Sequence, residues 1–264
     1  MRPGSSLLAD FWLCLGFFTR LPIRLAMREA AHPPSLAHFS HAVRALPLAG
    51  AVLGAIAALV LGVAHGVGLP PILAAPLALC CLIMLSGALH EDGLADCADG
   101  FFGGTTRERK LEIMQDSRIG TYGAVALALS LYIRAGSLAS IAGESLSLAG
   151  TVLIGAAALS RTAALIPLAV LPPAREKGAG FAAGKPEPAA LKAAACLAIA
   201  VALAPVLAGA GPFRSIASIA VAIGAAYAIV PLARKNIGGQ TGDVAGAAQQ
   251  LSEIAFYLAF AARL

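Results

Sequence analysis

The sequence predicts an all-α, polytopic integral membrane bundle, and three observations carry that prediction. Hydrophobic residues fill 59% of the 264 positions and charged residues only 12%, about half the charged share of a soluble domain, so part of the solvent must be lipid. Apolar runs of about 20 residues, the length a membrane helix needs, recur along the chain. Basic residues gather in alternate connections between those runs, the pattern that sets sidedness in a membrane. Residues 1–264 read as one membrane-embedded domain without internal repeats.

In chain order, residues 1–44 form an N-terminal segment. Its apolar run Leu7–Phe18 is broken by Asp10 and followed by Arg20, where a cleavage site needs small residues, so it does not read as a signal peptide. Leu7, Leu8, Phe11, Leu15 and Phe18 share one helical face. That face predicts an interfacial helix lying against the membrane, with a shallow re-entrant segment as the alternative. Seven spans follow, at about 46–68, 71–90, 122–142, 149–171, 189–210, 213–233 and 242–262. Gly50 and Gly54, then Gly62 and Gly66, put small residues four apart in the first span, which permits close helix approach within the chain or in a homo-oligomer. Pro76, Pro167, Pro205 and Pro231 fall within or near span ends, where neighbouring helices satisfy the freed backbone groups.

An odd number of spans puts the two termini on opposite sides. Arg2, Arg20, Arg24, Arg28, Arg44, Arg107, Arg109, Lys110, Arg118, Arg175, Lys177, Lys185, Lys192, Arg234 and Lys235 then share one side. Only Arg214 and Arg263 fall on the other, and Arg134 and Arg161 lie within spans, Arg134 close enough to an end to snorkel. The N-terminus and the connections 91–121, 172–188 and 234–241 are therefore expected in the cytoplasm. The net charge of +5 is modest and dispersed, which argues against a nucleic-acid partner but suits small polyanions. Cys14, Cys80, Cys81, Cys97 and Cys196 show no paired spacing; no disulfide or zinc site is expected, and most of them are expected as small core residues.

Seven of the fourteen acidic residues lie between 91 and 116, which marks 91–121 as an acidic cytoplasmic segment. Asp92, Asp96 and Asp99 are spaced i, i+4, i+7 and share one helical face. Like charges at that spacing repel, and a bound divalent cation relieves the repulsion. Oxygen-only ligands suit Mg²⁺ or Mn²⁺. The alternative is a solvated acidic helix end. Asp116 and Arg118 flank Ser117 at a turn leading to Gly120 and Gly123; a guanidinium there suits phosphate, and the glycines allow close backbone approach. Gly238, Gly239, Gln240, Thr241, Gly242 and Asp243 form a glycine-rich turn entering the last span, a candidate anion cradle that lacks the Lys-Ser/Thr pair of a Walker loop. Asp243 is placed to join the metal site or to hold a substrate hydroxyl. Arg161, inside a span, needs a partner or an anionic ligand. His38 and His41 lack a third zinc ligand, His90 reads as packing or capping, and His32 and His65 carry no signal.

These motifs resemble the cobalamin synthases, the adenosylcobinamide-GDP ribazoletransferases. The resemblance is carried by Leu89-His-Glu-Asp-Gly-Leu-Ala-Asp-Cys-Ala-Asp-Gly100 and by Arg109-Lys-Leu-Glu-Ile-Met-Gln-Asp-Ser-Arg-Ile-Gly-Thr-Tyr-Gly123. Phe17-Phe-Thr-Arg-Leu-Pro22, Arg44-Ala-Leu-Pro-Leu-Ala-Gly50 and Gly238-Gly-Gln-Thr-Gly-Asp243, the last followed by Leu251-Ser-Glu253, extend it over essentially the whole chain. Glu91 and Cys97 depart from the pattern without removing an aspartate. The resemblance implies that a ribose hydroxyl of α-ribazole, or of its 5′-phosphate, attacks adenosylcobinamide-GDP and releases GMP in a late step of cobalamin assembly. It implies Mg²⁺ dependence and a place in the inner membrane, where the protein can gather neighbouring pathway enzymes. Asp92, Asp96 and Asp99 are expected to hold the metal, with Asp116 and Arg118 beside them, and Arg161, Arg44 and the 238–243 turn to meet phosphate.

Two rivals fit less well. A CDP-alcohol phosphotransferase wants Asp-Gly-x-x-Ala-Arg, and here Asp92-Gly-Leu-Ala leads to Asp96 instead of an arginine. An ion-coupled transporter places its site near the bilayer midplane, whereas these carboxylates follow the end of a span.

Overall fold

The computed structural model describes residues 6–21, 23 and 38–262; Arg2, Pro22, Arg24, Arg28, His32 and Arg263 lie outside them. The described chain is helical: α1 (Leu7–Phe18), α2 (Phe39–Ala42), α3 (Leu46–Gly66), α4 (Pro71–Ser86), α5 (Leu89–Gly103), α6 (Arg107–Ile113), α7 (Thr121–Glu144), α8 (Leu146–Ala163), α9 (Leu165–Val170), α10 (Ala179–Ala183), α11 (Pro188–Ala202), α12 (Pro212–Ile237) and α13 (Gly242–Ala261). Local chemistry sets several of the starts. The side chains of Ser6, Thr106, Ser145 and Thr241 accept from the backbone N–H three residues on, and prolines open α4, α11 and α12.

Five helical stretches are long and apolar enough to cross a membrane: Phe39–Gly66, Thr121–Glu144, Leu146–Val170, Pro188–Ala208 and Pro212–Ile237. They match five of the seven expected spans, and the other two differ for physical reasons. The run 71–90 stops early, because Gly87 (φ 63°) and Ala88 (φ 57°) are left-handed, a conformation that breaks a helix. There α5 departs at 88° to α4, and 15 residues with a glutamate and three aspartates turn away from the α4 axis. The acidic segment 91–121 is thus largely helix, α5 and α6. The run 242–262 is α13, whose buried Gln249, Gln250 and Glu253 face other helices. It is a 20-residue helix packed in the interior and too polar to count among the spanning stretches.

Packing centres on α8, whose spanning window is 83% buried, with α3, α11 and α13 against it. Gly50 and Gly54 lie on the α8 backbone: a methyl on Gly54 would stand 2.7 Å from the Ile154 Cα. That pair serves packing within the chain. Around Gly62 and Gly66 nothing lies within 4 Å of the equivalent position. Leu59, Ile72, Met84, Tyr132, Phe213 and Tyr227 are exposed, an apolar belt suited to lipid.

The two ends have opposite character. At one, Arg107 donates to the Ile237 and Ala174 carbonyls at 2.9 and 2.6 Å, and Glu187 N–H donates to the Ser40 carbonyl at 2.9 Å. The connections expected to share a side therefore meet. At the other, Arg214 clasps Glu144 at 2.8 and 3.1 Å. In α1, Leu15 and Phe18 are buried against the protein together with Asp10, while Leu7 and Leu8 are exposed. All five cysteines are free; Cys14 and Cys97 are buried, while Cys80 and Cys196 are exposed on helix surfaces and are not core residues.

Candidate active site

The site is built where α5 crosses α13. Gly93 and Gly246 meet there; a methyl on Gly93 would lie 2.8 Å from the Asp243 carbonyl oxygen and 3.2 Å from the Gly246 Cα. Only glycine permits this approach, and it brings the N-terminus of α13 against the aspartates of α5. Asp243 is held by Arg175 at 3.2 Å and by the Thr241 hydroxyl at 3.1 Å. Asp96, half-buried and outside the spanning segments, has its carboxyl pushed up to about 7, first by burial and then by the charges of Asp243, Asp92 and Asp99. The crowding of negative oxygens anticipated from the spacing is present, with Asp243 added to it.

Asp99 departs from expectation. Its two carboxylate oxygens accept from Gly120 N–H at 2.7 Å and Gly123 N–H at 2.8 Å. It caps the positive N-terminus of α7, and the close approach that Gly120 and Gly123 allow is to this carboxylate. Among the described residues no three of His, Cys, Asp or Glu form a ready-made metal shell. The donors present are hard oxygens of the kind that Mg²⁺ takes one or two at a time, with substrate phosphates and water completing its octahedron.

Asp92 is shared between two hollows. One is an open cleft of about 490 Å³ lined by Asp92, Asp96, Asp116, Ser117 and Arg118. Asp116 and Arg118 pair with each other at 2.7 Å on its exposed rim, and this pairing holds the Asp116 carboxyl down to about 2. The other is a pocket of about 110 Å³ lined by Phe17, Phe18, Phe39, Leu165, Leu168 and His90, with Asp92 and Asp243 in its wall.

The turn before α13 is braced from outside. Gln240 N–H donates to the Pro172 carbonyl at 2.8 Å, and Ala174 N–H donates to the Gln240 carbonyl at 2.9 Å. A methyl on Gly239 would strike the 172–174 backbone. Gly238, Gly239, Gln240 and Thr241 are thus committed to positioning, and Gly242 and Asp243 are the two residues of the turn that line the pocket.

A protein-family model described as cobalamin-5-phosphate synthase matches residues 10–261. The chain belongs to the cobalamin-5-phosphate synthase family. Similar proteins named adenosylcobinamide-GDP ribazoletransferase include one from Azorhizobium caulinodans, 46% identical and covering 96% of each chain. Another, from Bradyrhizobium diazoefficiens, is 40% identical over 99% of this chain and 98% of its own. A third, from Rhizobium etli, is 41% identical over 95% of both. No solved structure matches.

In this cobalamin-5-phosphate synthase family member, two expected phosphate contacts lie elsewhere. Arg44 bonds buried Asp10 at 2.6 Å and ties the turn before α3 to α1. Arg161 lies 2% exposed, donates to the Ala157 carbonyl at 3.2 Å and lines neither hollow. Arg175, a connection residue, carries no local sequence signal of its place beside Asp243. A buried polar layer is likewise silent in the sequence: Arg134 bonds Glu91 at 3.1 Å and Glu253 at 3.3 Å, and Gln250 bonds Glu91 at 3.0 Å. Arg134 does not snorkel; it is 1% exposed. Its signal was the pairing of Glu91 and Glu253 with a span arginine, which only the three-dimensional arrangement reveals.

Proposed function

We propose that this chain transfers the adenosylcobinamide phosphoryl group of adenosylcobinamide-GDP to α-ribazole or its 5′-phosphate, yielding adenosylcobalamin or its 5′-phosphate and GMP. The observation that carries the reading is the convergence of Asp92, Asp96 and Asp243 at the Gly93–Gly246 crossing, beside a cleft that carries Arg118. Family membership and the names of the similar proteins support it.

An acceptor hydroxyl oxygen bonds to the cobinamide-bearing phosphorus as the bond from that phosphorus to the oxygen of GMP breaks. Phosphoryl transfer of this kind depends on positioning and charge neutralisation. Asp92 and Asp96, with Asp243, would hold Mg²⁺, which when bound neutralises diphosphate charge. A carboxylate left free of metal takes the hydroxyl proton. Arg118 on the rim offers its guanidinium to the donor phosphates. Arg175 keeps Asp243 turned inward, and Asp99 fixes α5 against α7.

The site is read as facing the cytoplasm from the inner membrane, because it opens at the end where Arg107, Lys110, Arg118 and Arg175 gather. The deciding experiment incubates purified protein with adenosylcobinamide-GDP, α-ribazole and Mg²⁺, with EDTA as control. GMP and a cobalamin product are expected only with the metal. Turnover undiminished by EDTA removes the cation from the mechanism, and absence of GMP removes the reaction.

A further inference from the structure

Resting on the reaction proposed above, we propose that the pocket between α1, α2, α5, α9, α10 and α13 seats the flat nitrogen-heterocyclic base of the acceptor. Two features of the pocket select that ligand. Its walls are aromatic, and Phe18 lies stacked on the His90 ring, with centroids 6.0 Å apart and planes within 6°. Such surfaces take flat rings by stacking. Asp92 and Asp243 form the polar part of the wall.

Size and polarity exclude the other occupants. A hollow of about 110 Å³ holds a bicyclic ring and not a corrin macrocycle. An acyl chain would lie against two carboxylates without satisfying them, at a desolvation cost.

The consequence is a division of labour across one residue. The acceptor enters from the aromatic side of Asp92 and the donor diphosphate lies in the cleft of Asp96, Asp116 and Arg118. The acceptor oxygen then reaches the phosphorus from the pocket side while the GMP oxygen leaves toward the cleft, as an in-line displacement needs.

The test uses the full chain in detergent or nanodiscs, with KM measured separately for α-ribazole and for adenosylcobinamide-GDP. Phe39→Ala removes a stacking wall, and Ala183→Leu fills the pocket from α10. Each is expected to raise the α-ribazole KM about tenfold or more and to leave the donor KM within about twofold, while Phe39→Tyr restores the wild-type value. An α-ribazole KM unmoved by both replacements, or a rise in the donor KM instead, overturns the assignment. Should the wild type release no GMP, the proposed reaction falls. Equilibrium dialysis of α-ribazole then decides the pocket alone: binding weakened by Ala183→Leu supports it, and no difference between Ala183→Leu and wild type overturns it.

Discussion

Replacing Gly93 by alanine tests whether the α5–α13 crossing builds the site. The new methyl would stand 2.8 Å from the Asp243 carbonyl oxygen and 3.1 Å from the Asp243 Cα, both backbone atoms that cannot rotate away. Reaching ordinary contact at 3.4 Å means moving the helices apart by about 0.6 Å (3.4 less 2.8). Alanine gains about 1 kcal/mol of helix propensity over glycine, and overpacking costs about 1–3 kcal/mol, so the net loss of stability is at most about 2 kcal/mol. The larger effect is on geometry: a displacement of about 1 Å costs about a hundredfold in rate, so the shift here predicts about a tenfold fall in kcat and weaker Mg²⁺ activation. The assay is GMP release against Mg²⁺ concentration, with thermal unfolding in detergent as the fold control. Gly62→Ala, where nothing lies within 4 Å, serves as the matched control and is expected to be neutral or slightly stabilising. Wild-type turnover and Mg²⁺ response in Gly93→Ala would refute the reasoning.

Asp92→Asn and Asp96→Asn are each expected to lower turnover by orders of magnitude, whereas Asp99→Ala is expected to act chiefly by uncapping α7, at about 1–2 kcal/mol of stability; equal losses of activity at unchanged stability would place Asp99 among the reacting groups. Arg134→Met leaves Glu91 and Glu253 buried without their cation and should cost about 3–5 kcal/mol, part of which returns in the double variant Arg134→Met/Glu253→Gln; thermal unfolding of both proteins measures it. Because the Asp96 carboxyl is pushed up to about 7, it holds a proton below that pH which an incoming cation must displace. Divalent-cation affinity should therefore tighten as pH rises from about 6 to 8, and a calorimetric titration showing no such trend excludes Asp96 from the binding set. Arg175→Ala frees Asp243 and should raise the Mg²⁺ requirement several-fold, with Arg175→Lys intermediate.

Much of the fold was legible because lipid imposes a simple rule: apolar runs of spanning length must be helices. The rule failed where polar residues interrupt an apolar run. Span 242–262 was inferred from its apolar residues, yet Gln249, Gln250 and Glu253 make α13 an interior helix. The break at Gly87 and Ala88 was invisible, since alanine gives no warning of a left-handed backbone. In the candidate site, the crowding of Asp92 with Asp96 was legible from spacing, and Asp243 was marked by its glycine turn. Spacing alone could not show that Asp99, on the same helical face, spends its oxygens on the Gly120 and Gly123 N–H groups. Nor could it show that Arg44 turns to Asp10, because a long side chain reaches partners 34 residues away as easily as a ligand.

The polar character of α13 bears on how the protein is made. A helix carrying Gln249, Gln250 and Glu253 partitions poorly into lipid by itself, so it enters the bilayer most readily against helices already waiting there. Until it arrives, Arg134 holds only Glu91, and α5 lacks the surface that fixes its aspartates. The aspartates of α5 therefore come into register with Asp243 only once α13 has docked against α5 and α8.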